Sequence, residues 1–61
     1  MSIEYATLLM RLQAKSLRIM REEKLAADDA KTQASRQMAM NRMWLHAHRI
    51  QRINQIMKQA Q

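Results

Sequence analysis

Leu25-Ala-Ala-Asp-Asp-Ala-Lys-Thr-Gln-Ala-Ser35 is the stretch on which the fold turns. Here a strongly helical chain loses its apolar rhythm, with Asp28, Asp29, Lys31 and Thr32 set among alanines. Two folds compete. One is an unbroken helix of nearly sixty residues, roughly 85–90 Å long at 1.5 Å per residue. The other is a hairpin that reverses near Asp28–Asp29. The chain has no Gly, which favours the rod because no turn with positive φ is written in. Phase favours the hairpin, and phase is the stronger signal.

The phase is set downstream. Ala39, Met43, His46, Ile50, Ile53, Met57 and Ala60 recur at steps of four and three, all but one of them apolar. That spacing marks a helix packing a seam against another helix. Carried backward, it lands on Arg36, Thr32, Asp29, Leu25, Glu22, Arg18, Lys15 and Arg11. A single rod would bury one end of this stripe and solvate the other. A reversal lets two apolar faces meet. Asp28 or Asp29 is then expected to cap the second helix, where a carboxylate suits the positive end of the macrodipole.

Upstream, Ser2 is a candidate N-cap with Glu4 in the first turn. Tyr5, Leu8, Leu9, Leu12, Ile19 and Met20 oppose the charged stripe, and Ile3, Ala6, Met10 and Leu17 widen the apolar arc to about half the helix. The expected architecture is all-α: helix 1 over about 3–26, a turn at about 27–30, and a longer helix 2 over about 31–60. Two helices alone cannot bury so broad an arc, so the hairpin is expected to dimerise into a four-helix bundle. The last turns, Ile56 to Gln61, are expected to overhang or meet the partner subunit.

Composition supports this frame. Sixty-one residues form one domain at most, and chains this small usually need disulfides, a metal or a partner. Cys is absent, so disulfides are excluded. No apolar run reaches the roughly 20 residues of a membrane span, and no signal peptide is visible at the N-terminus. A cytoplasmic, intracellular protein is the expectation. Net charge is +6. Residues 1–29 hold five bases and five acids, whereas residues 30–61 hold six bases and no acid. The second half therefore points to an anionic partner.

Arg42, Arg49 and Arg52 flank Met38, Leu45 and Ile56, and Arg36 and Lys58 add to the basic set. Such a stripe can grip phosphates, lie in an acidic protein groove, lie on an anionic membrane, or cover the core with its aliphatic stems. Trp44, beside Met40 and His48, reads either as an exposed protein-contact face or as packing within the bundle. Six methionines besides the initiator are adaptable fillers of irregular gaps. His46 in the seam reads as a satisfied core histidine or as a pH switch that weakens the bundle below about pH 6. His46 and His48, two apart, point away from each other on a helix and do not form a metal pair.

There is no Gly-rich phosphate loop, nucleophile elbow or cysteine, so no enzyme, cofactor or metal site is expected. The expected function is a small regulator whose basic second helix binds nucleic acid, RNA or DNA, by backbone charge. The alternative is an inhibitor, chaperone or assembly subunit docking on a larger, acidic protein through its Trp/Met-rich face.

Overall fold

The structure, a computed structural model, describes residues 1–60. Two helices, α1 (Ile3–Asp29) and α2 (Gln33–Gln59), pack against each other as a hairpin measuring 45 × 15 × 10 Å. Gln61, included in the expected overhang, lies outside the described residues.

Ser2 starts α1. Its hydroxyl accepts from the Tyr5 N–H at 3.1 Å, and Glu4 sits in the first turn, facing the positive end of the helix dipole. The reversal needs neither glycine nor proline, and no described residue has positive φ. Ala30 ends α1 in extended backbone (φ −64°, ψ 131°), its N–H donating to the Ala27 carbonyl at 3.3 Å. Thr32 is extended too (φ −127°, ψ 155°) and caps α2. Its Oγ1 accepts from the Ser35 N–H at 3.1 Å and donates to Ser35 Oγ at 2.9 Å.

Two sequence expectations are corrected here. Asp28 and Asp29 do not cap α2; they form the last turn of α1, and Thr32 takes the capping role. Ala27 is buried, so the end of α1 stays docked and the helix runs three residues past the expected boundary. As a result α2 is not the longer helix: each has 27 residues.

On α2, Ala39 and Ile53 are buried and Met43, His46, Ile50 and Met57 are half-buried. On α1 and its C-cap the shielded stripe is Ala6, Leu9, Gln13, Ser16, Met20, Glu23, Ala27 and Ala30, with Thr7 and Ile19 half-buried beside it. The stripe residues also recur at steps of three and four, but all except Leu9 and Met20 are small or polar. Small residues let the backbones approach closely, and they leave the larger side chains outside. Leu8, Leu12, Met10 and Leu17 are between 43% and 53% exposed.

Among the described residues, three polar pairs bridge the seam. Gln13 Nε2 donates to Asn54 Oδ1, Ser16 Oγ lies 3.4 Å from His46 Nδ1, and Arg42 Nε lies 3.0 Å from Glu23 Oε1. Sliding either helix by one turn would break all three pairs, so they set the register of the hairpin. The polar seam also limits apolar burial. The chain exposes 5130 Å², against about 4,200 Å² for a folded monomer of 7.3 kDa.

Candidate interaction surfaces

The hairpin is a single layer of two helices with two broad sides. On the first side, a groove of about 610 Å³ runs between the helices. Leu12, Ile19, Leu45 and Ile53 line its apolar surface, Ser16 and His46 lie among them, and Lys15, Arg49, Arg52 and His48 bring the charge and polarity. No acid lines this groove. Leu8 continues it along α1, four residues before Leu12, and Met38 continues it along α2, seven before Leu45.

On the second side, a hollow of about 350 Å³ is lined by Lys24, Ala27, Asp28, Arg36, Met40 and Met43. Helical spacing extends this side away from the turn. Leu17, Met10 and Ile3 lie at seven-residue steps from Lys24, and Ala47 lies seven residues from Met40. Trp44 stands at its outer edge, 62% exposed, with its ring tilted 38° to that of His48 at 6.5 Å between centroids.

The five basic residues singled out in the sequence do not share one face. Arg49 and Arg52 line the groove, joined by Lys15 from α1. Arg36 lines the opposite hollow near Asp28. Arg42 is engaged with Glu23, whose other oxygen, Oε2, is buried without a hydrogen-bond partner. Lys58 sits in the last turn of α2, where a cation suits the negative end of the helix dipole. Among the expected protein-contact residues, Met40 faces the hollow, His48 lines the groove, and Trp44 lies between them on the outer edge of α2.

Folding rearranges the charge. The half of the hairpin away from the turn, residues 1–18 with 46–60, carries Arg11, Lys15, Arg18, Arg49, Arg52 and Lys58 against the single acid Glu4. The turn half, residues 19–45, carries five bases and four acids. An imbalance between the two halves of the sequence thus becomes an imbalance between the two ends of a rod. Lys15, the α1 contribution to the groove, was missed when the basic set was sought on the second helix alone. Its position opposite Arg49 follows only once the reversal is placed.

His46 faces Ser16. A hydroxyl can donate or accept, so this neighbour can pair with either tautomer of the ring. No group of three or more His, Cys, Asp or Glu positioned for a metal ion occurs among the described residues. No described helix is long and apolar enough to cross a membrane. Comparison with known protein families, curated proteins and solved structures finds no match to this chain.

Proposed function

We propose that this chain is a small, non-enzymatic, intracellular regulator that binds nucleic acid through its groove side, by backbone charge rather than by reading bases. One observation carries the reading: six bases face a single acid on the half of the hairpin away from the turn, and both helices contribute. Arginine forks and lysine ammonium groups match phosphate oxygens, and their aliphatic stems can lie across an apolar floor while the charged heads reach outward. Lys15, Arg49 and Arg52 are the principal contacts, with Arg11 and Arg18 on the flank of α1 extending the track and Lys58 adding charge at the same end of the rod.

The test is binding to generic RNA and DNA duplexes as salt is raised. Neutralising about six phosphates gives a slope near −5 in log affinity against log salt, so affinity falls about a thousandfold between 50 and 200 mM. Affinity that ignores salt over that range refutes the reading.

The apolar floor of Leu12, Ile19, Leu45 and Ile53 favours a second reading, in which an acidic amphipathic helix docks in the groove. Leu12→Ser with Leu45→Ser separates the two. It abolishes helix docking and leaves phosphate binding nearly unchanged.

A further inference from the structure

We infer that the second side of the hairpin, carrying Met10, Leu17, Met20, Met40 and Met43 with Trp44 at its edge, is covered by a second copy of this chain, leaving the basic groove outermost on each subunit.

The first argument is area. The chain exposes 5130 Å², roughly 900 Å² more than expected for its mass. A standard interface buries about 800 Å² on each partner. One additional contact of ordinary size therefore brings the surface into line.

The second argument is charge, and it selects the side. Two copies meeting groove to groove would set Lys15, Arg49 and Arg52 against their own equivalents, six cations with no acid among the groove residues. Such an arrangement repels itself unless an anion intervenes. The hollow on the other side mixes signs, with Lys24 and Arg36 beside Asp28, and helical spacing adds only the scattered Arg21 and Lys58 toward its margins. Methionine suits a self-complementary contact because its flexible thioether adapts to the surface it meets.

A consequence follows for the groove. Two layers stacked on their methionine sides point their basic grooves in opposite directions, so the assembly is bivalent and can hold two nucleic-acid segments together. The bridging consequence rests on the nucleic-acid reading; the two-copy assembly does not.

The test begins with sedimentation equilibrium of the whole chain from about 1 to about 100 µM. The expected mass is that of two chains at the upper end. Leu17→Glu, on the methionine side, should reduce it to one chain, and Leu45→Glu, in the groove, should leave it at two. Both positions are about half exposed in the hairpin, so a single hairpin has room for either carboxylate. Should Leu17→Glu lose its helical circular dichroism, the wild type supplies the answer. Trp44 is the only tryptophan, and its emission should move to the red as dilution lowers the mass.

A single-chain mass throughout overturns the inference, as does a mass above two chains. Dissociation by Leu45→Glu instead of Leu17→Glu, or dissociation with no change in Trp44 emission, does the same. A two-chain assembly that fails to tether two duplexes at low salt leaves this inference standing and counts against the nucleic-acid reading.

Discussion

Replacing Arg42 with alanine probes the seam at the one ion pair that crosses it among the described residues. Arg42 Nε lies 3.0 Å from Glu23 Oε1, and the Glu23 side chain is only 18% exposed while that of Arg42 is 51% exposed. Glu23 Oε2 is already buried without a partner. Removing Arg42 leaves a poorly solvated carboxylate, and the penalty for orphaning such a group exceeds what the pair contributes. A hydrogen bond to a charged group is worth about 1.5–3 kcal/mol. Water can reach the half-exposed Arg42 site, which reduces the expected loss to about 1–2 kcal/mol. At about 4–8 °C per kcal/mol for a domain of this size, the melting temperature drops by roughly 5–15 °C.

The assay is thermal melting by far-UV circular dichroism at one fixed chain concentration, since self-association would make the midpoint depend on concentration. Arg49→Ala is the control: Arg49 has no acid partner within the groove, and its loss should matter by less than about 0.5 kcal/mol. Glu23→Leu completes a double-mutant cycle. With the carboxylate gone, Arg42→Ala should cost almost nothing, giving a coupling of about 1–2 kcal/mol. Equal melting temperatures for Arg42→Ala and Arg49→Ala, or an Arg42→Ala effect that persists in the Glu23→Leu background, refute the reasoning.

The same melts test three further positions. Thr32→Ala should cost about 1 kcal/mol through loss of the α2 cap, whereas Asp29→Asn should leave stability unchanged or raise it by a few tenths, because it removes a negative charge from the C-terminal turn of α1. Ala39 is 1% exposed, so Ala39→Leu should force the helices apart and destabilise by about 1–3 kcal/mol. In nucleic-acid titrations, Arg49→Ala and Arg52→Ala should each lower the magnitude of the salt slope by about one, while Arg36→Ala, across the layer beside Asp28, should change it less.

The hairpin was legible because phase is a long-range signal. The stripe obtained by carrying the Ala39–Ala60 spacing backward, from Arg36 to Arg11, is exposed at every position. The bend was harder to place. Ala30 and Thr32 reverse the chain through extended backbone alone, and alanine carries no turn signature. Asp28 and Asp29 drew the capping assignment by chemical type, while a threonine three residues before a serine did the capping. The α1 seam was hardest of all. Gln13, Ser16 and Glu23 occupy it while Leu8 and Leu12 stay half exposed. A search weighted by hydrophobicity passes over such a stripe, although its spacing, from Ala6 to Ala30 in threes and fours, is as regular as that of the second helix.

That inversion of the usual pattern bears on function. A hairpin that spent its largest apolar side chains on its own seam would be more stable by itself and would have little left to offer a partner. Here Leu9 and Ile53 are the only large side chains buried among the described residues, beside alanine, serine and three polar pairs, while most leucines, several methionines and the single tryptophan lie on the two open sides. The pairs specify register more than they stabilise, since half-exposed polar contacts are individually weak. Cations then distinguish the two open sides. Lys15, Arg49 and Arg52 line the groove without an acid, whereas Asp28 accompanies Lys24 and Arg36 on the methionine side. If both proposals hold, a carboxylate added to the groove, as in Leu45→Glu, should lower the affinity for phosphate and leave the mass unchanged. One added at Leu17 should lower the mass and leave phosphate affinity per chain unchanged.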